Sequence, residues 1–98
     1  MIVEIQVVPK PSGNESSRYY FVERALDLIK SSGLKYEVGA LGTTIEGEAD
    51  AIWALLRAIH RAPLDAGADS ILTYIKISEH ADRPVTMSEL TDPHRPTP

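Results

Sequence analysis

At 98 residues, with 43% hydrophobic and 24% charged side chains, the chain has the composition of one globular domain and no length for a second core. A net charge of −4 without clustered lysine and arginine excludes general nucleic-acid binding, because that affinity rests on neutralising phosphates. Cysteine is absent, which removes disulfides, thiolate nucleophiles and cysteine-bound zinc.

Met1 to Val8 alternates with β-branched residues up to Pro9, which has no ladder donor, and reads as the first strand. Val3, Ile5 and Val7 share one face and Glu4, Gln6 and Val8 the other. The glutamate inside this stretch and the missing basic run do not match a signal peptide, and no segment reaches the ~20 apolar residues of a membrane span. A cytoplasmic protein with no membrane partner is expected.

"PKPSGNESS" is a turn-rich loop in which Ser16 or Ser17 is a candidate helix N-cap. Val22, Ala25, Leu26 and Ile29 then follow the stripe of an amphipathic helix, and Gly33 stops it. Lys35 to Val38 and Thr43 to Glu46 are two short strands joined through Gly39-Ala40-Leu41-Gly42, a hairpin. From Ala49, the residues Ile52, Leu55, Leu56 and Ile59 mark a second helix that ends at Ala66-Gly67 and is expected to be kinked or shortened by Pro63. "SILTYIKIS" is the last long strand, Thr86-Met87-Ser88-Glu89 is a capping box for a short final helix, and residues 92–98 read as a frayed tail beyond a domain of residues 1–91.

The order β-α-β-β-α-β predicts an α+β fold, a ferredoxin-like sandwich with an antiparallel sheet and two helices on one face. Alternation puts Val3, Ile5, Val7, Ile45, Thr73, Ile75 and Ile77 under the helices. The opposite face carries Glu4, Gln6, Glu37, Thr44, Glu46, Tyr74 and Lys76. It lacks the base-stacking aromatics that an RNA-recognition sheet needs on its central strands.

Gly42 and Gly47 have P-loop spacing, but Glu48 and Ala49 follow where lysine and a hydroxyl residue are required, and the acid would repel a phosphate. His60, His80 and His94 show no metal-ligand spacing, and no serine or threonine sits in a nucleophile motif. What the helix-free face does offer is carboxylates (Glu37, Glu46), hydroxyls (Thr43, Thr44) and an aromatic ring (Tyr74), which suit a cationic, donor-rich ligand. An exposed sheet also invites pairing with a second subunit.

"MIVEIQVVP", "SGLKYEVGALGTTIEGE", "AGADSILTYIKI" and "DRPVTM" together resemble the thiamine-binding, YkoF-type domain family over residues 1 to about 90. The most specific piece is Gly42-Thr43-Thr44-Ile45-Glu46-Gly47. The resemblance implies a ferredoxin-like fold, assembly through sheets into homodimers or homotetramers, and binding of thiamine or its hydroxymethylpyrimidine precursor without turnover, cofactor or metal. Thr43, Thr44 and Glu46 match the hairpin motif, and Arg83, Pro84 and Thr86 match the late one. Gln6 departs from the small hydroxyl residue frequent at its position, and Leu41 from methionine.

The expected ligand contacts are Glu46, Thr43, Thr44, Gln6 and Glu37, with Tyr36 or Tyr74 as a flat wall. Two other readings stand beside this one. The first is an oligomeric structural or regulatory module with no pocket. The second is an enzyme that uses Glu37 and Glu46 as coupled acid and base.

Overall fold

A computed structural model describes residues 1–96. Strands β1 (Ile2–Lys10), β2 (Lys35–Val38), β3 (Thr43–Glu46) and β4 (Ser70–Ser78) form one sheet in the order β2-β3-β1-β4. All its pairings are antiparallel. Helices α1 (Tyr20–Ser31) and α2 (Ala49–Asp65) cover one face, and a short helix α3 (Met87–Thr91) runs into a 3-10 turn at Asp92–His94. The expected ferredoxin-like architecture is the one observed.

The core follows from strand and helix periodicity. Val3 opposes Ile45 and Ile77, and Ile5 opposes Ile75. These β1 and β3 residues pack with Ala25 and Ile29 of α1 and Ile52, Leu56 and Ile59 of α2 in one buried cluster. A side chain of that size stabilises by about 1.5–3 kcal/mol when fully buried, so this cluster is what holds the helices on the sheet. Cover is incomplete towards β4, where Ile75 and Ile77 are 42% and 44% exposed, and Trp53 on α2 is also exposed.

Three local expectations need correction. Neither Ser16 nor Ser17 caps α1: the N-cap is Tyr19, without a side-chain cap bond, and Asn14 Oδ1 instead accepts from the amides of Ser16 and Ser17. α2 runs through Pro63 to Asp65. Pro63 costs α2 one bond to the Ile59 carbonyl, only the last residues of the helix follow it, and burial of its ring offsets that loss. β1 continues past Val8 through Pro9 to Lys10, because β3 pairs only with Ile2 to Ile5 and the far half of β1 keeps one neighbour, β4.

The capping box is present, with Thr86 Oγ1 accepting from the Glu89 amide at 3.1 Å. The segment expected to fray makes structure as far as it is described: Arg95 pairs with Asp92 at 3.0 Å and with Glu37 at 3.5 Å. The last two residues of the expected tail, 97 and 98, lie outside the described residues.

Candidate functional site

Glu37, Thr44, Gln6, Tyr74 and Glu46 share the helix-free face, as the register requires. Glu4 opposes Thr44 and Lys76, Gln6 opposes Tyr74, and Glu37 opposes Thr44. Thr43 and Tyr36 do not join them. Thr43 opposes Ile5 and Val38, and Tyr36 opposes Ile45, so both lie on the helix side. The expected use of Thr43 and Thr44 on one ligand from one platform is corrected here, since strand neighbours project to opposite faces.

The β2–β3 half of the helix-free face is occupied. The Met87 amide, at the start of α3, donates to Glu46 Oε1 at 2.5 Å, and Lys35 Nζ donates to Ser88 Oγ at 2.8 Å. With the Arg95–Glu37 pair, these bonds strap the C-terminal segment across the hairpin. Glu46 thus supplies a carboxylate where α3 has an unsatisfied N–H, the favourable end of a helix for negative charge.

Beside this strap lies a cavity of about 630 Å³ between Met1, Glu46, the first turn of α2, Ser78 and the loop 79–86. Here the hairpin motif and the late motif meet, 41 residues apart in sequence at the Glu46–Met87 bond. Arg83 does not reach into the cavity as a free cation. Its Nη1 donates to both Glu89 carboxylate oxygens, at 3.2 and 3.1 Å, and to the Pro84 carbonyl at 3.1 Å. Glu46, Glu48, Asp50, Glu79 and Asp82 make the wall acidic.

A second, smaller cavity of about 300 Å³ opens at the other end of the sheet. Its origin is the mismatch in strand length. β3 stops at Thr43, opposite Ile5, while β1 continues, so Gln6 and Val7 have no β3 neighbour and a slot remains between β1, α1 and the hairpin tip. Ile5, Val7, Val22, Leu26 and Ile29 give it apolar walls. Thr43 lines it, is only 4% exposed, and its hydroxyl makes no hydrogen bond among the described residues. Among the described residues only Arg24 Nε is a side-chain polar atom sealed from solvent without a partner, so the Thr43 hydroxyl is not shut in the core and is open to whatever enters the slot. Gln6 reaches the same slot from its rim.

The structure therefore separates the expected contacts into three groups. Thr43 and Gln6 are at the slot, Glu46 is at the larger cavity, Thr44 and Glu37 are on the strapped half of the helix-free face, and Tyr74 is on its open half. Tyr36 stands at the outer strand, 39% exposed, and lines neither cavity. Tyr19, Val22 and Leu26 were not among the expected contacts; the unequal lengths of the first and third strands are the one sequence signal that could have found them. Among the described residues no three His, Asp or Glu side chains converge to hold a metal.

The family of thiamine-binding proteins matches residues 3–95. The chain belongs to that family. UPF0045 protein sll0230 of Synechocystis is 35% identical over 91% of this chain and 72% of its own length. UPF0045 protein CPE1503 of Clostridium perfringens is 30% identical over 95% of both chains. Among solved structures, a Bacillus cereus DUF77 domain of unknown function superposes with a TM-score of 0.86 at 34% identity, covering 96% of this chain and 88% of that one. A Thermotoga maritima protein provisionally assigned to thiamine biosynthesis or salvage gives a TM-score of 0.80 at 30% identity, covering 96% and 97%. No helix among its described residues is long and apolar enough to cross a membrane.

Proposed function

We propose that the protein binds thiamine or its hydroxymethylpyrimidine moiety without turning it over, and that the pyrimidine ring enters the slot beside Thr43. The observation that carries this reading is the unpartnered Thr43 hydroxyl in an otherwise apolar slot. An aminopyrimidine is flat enough to lie between Val22 and Leu26 of α1 and Ile5 and Val7 of β1, and its ring nitrogens and amino group offer partners to Thr43 and to the Gln6 carboxamide. Glu46 acts at a distance, by fixing α3 and the loop 79–86. Tyr74, on the open half of the sheet, remains available for parts of the ligand or of a second subunit that reach it. Binding rather than catalysis is supported by the fate of the carboxylates suggested as acid and base: Glu46 holds the Met87 amide and Glu37 pairs with Arg95.

A cytoplasmic homodimer or homotetramer fits the half-covered isoleucines of β4, an unpaired edge strand among the described residues. Such pairing leaves the slot open, because no β4 residue lines it.

Thermal unfolding with thiamine, thiamine diphosphate and hydroxymethylpyrimidine tests the reading. Ligand at 100 times its dissociation constant contributes about 2.7 kcal/mol, roughly ten degrees in midpoint for a domain of this size. Thiamine and hydroxymethylpyrimidine are expected to shift the midpoint. The diphosphate is expected to do no better, since neither cavity offers an unpaired lysine or arginine. A stable oligomer with no shift from any of the three would favour the pocketless module.

A further inference from the structure

The slot is small for a two-ring ligand. At about 300 Å³ it lies at the floor of the range in which proteins engulf drug-sized molecules. One ring fits inside and a second must lie on the rim. Apart from Gln6, the exposed side chains of the rim include two large apolar ones. Leu41, at the tip of the hairpin, is 84% exposed, and Tyr19, the residue before α1, is 51% exposed; both line the slot.

Neither residue is needed by the fold. Tyr19 makes no side-chain capping bond for α1, and its ring has the Arg18 guanidinium as a cation–π partner, 5.4 Å from its centroid. Leu41 sits in a turn closed by the backbone alone, where the Gly39 amide donates to the Gly42 carbonyl at 2.9 Å. Two large apolar side chains kept in solvent on opposite sides of a slot have surface to gain only from what occupies it.

We infer that Tyr19 and Leu41 form a clasp for the part of the ligand outside the slot, and so select two-ring heterocycles over the single pyrimidine ring. This rests on the slot being the binding site. In the bound state Leu41 covers one side of the outer ring and Tyr19 the other, and both lose solvent exposure. The gain falls on the two-ring ligand alone, because a single ring held between Thr43 and Gln6 does not extend to Leu41 and Tyr19.

Calorimetric titration of the full-length protein with thiamine and with hydroxymethylpyrimidine tests this, using Leu41→Ser, Tyr19→Ala and Thr43→Val. Each rim variant is expected to weaken thiamine about ten-fold, the size expected for losing one well-buried apolar contact, and to leave hydroxymethylpyrimidine within about two-fold. Thr43→Val is expected to weaken both ligands alike. Equal losses for the two ligands in the rim variants, or no loss for either, would overturn the clasp while leaving the slot intact. If neither ligand binds the unmodified protein, the clasp and the proposed function fall together. Unchanged circular dichroism and midpoint in the rim variants separate a lost contact from a lost fold.

Discussion

Thr43 and Thr44 have the same side chain and adjacent positions, yet a strand's two-residue period gives them different tasks. Thr44 faces the open sheet between Glu4 and Glu37. Thr43 is inside with a hydroxyl that has nothing to bond. Replacing that hydroxyl by a methyl keeps the shape and breaks no hydrogen bond among the described residues, so Thr43→Val should leave the ligand-free protein about as stable. The same change should weaken pyrimidine binding by about 1 kcal/mol, roughly five-fold. Urea unfolding and titration of one variant read both outcomes, and a loss of stability with unchanged affinity would refute the assignment. Glu46 is the converse case. Glu46→Gln removes the charge from the bond to the Met87 amide and should cost about 1–2 kcal/mol in urea unfolding while leaving affinity within about two-fold. The alternation that separates the two threonines was legible in the sequence for every strand. The partner of Glu46 was not, since a bond across 41 residues has no local signature.

At the scale of elements, the strands and helices were legible because each has one period and a marked end. Gly33, at φ +78°, stops α1 where an L-residue would be strained, and Gly67, at φ +118°, follows α2. Serine at the mouth of α1 misled because the loop before it closes on itself. A Cβ at Gly13 would lie 2.2 Å from the Ser17 carbonyl oxygen and 2.3 Å from that of Arg18, with backbone on both sides and nothing to yield. Gly13→Ala should therefore open the loop and destabilise by about 2–3 kcal/mol. Gly33→Ala, with open space around it, should cost only the left-handed strain of about 1–2 kcal/mol. Denaturant midpoints of the pair check the order, and Gly13→Ala should also displace Tyr19 and weaken thiamine. Pro63 misled in the other direction: the residue that should have ended α2 sits two residues before its end, with its ring fully buried.

For the whole molecule, the sheet has two unequal halves. One half, β2 and β3, is strapped by α3 and the residues after it. The other, β1 and β4, is open on its helix-free face, with Leu72 and Tyr74 exposed there and Ile75 and Ile77 half-covered behind. Self-association is expected along β4, through the half-covered Ile75 and Ile77. Ile75→Lys with Ile77→Lys should shift sedimentation towards the monomer without abolishing ligand-induced stabilisation. A variant that stays oligomeric would move the interface elsewhere. The sequence showed which residues face which side. It did not show that the C-terminal segment returns to cover half of one, because that segment is short, polar and held by single bonds from Lys35, Glu46 and Glu37.

The slot exists because one strand ends early. β1 offers nine residues to β4 and only four of them, Ile2 to Ile5, are met by β3. Lengthening each arm of the hairpin by two residues would preserve which side chains face the helices. It would also let β3 zip along Gln6 and Val7, leaving a flat, fully paired sheet with every site-lining side chain still in its place. Recognition in this scaffold is thus set by a length as much as by a composition. A relative that retains Thr43 and Gln6 but carries the longer hairpin would be a ligand-blind member of the same lineage, and counting hairpin residues would identify it before any assay.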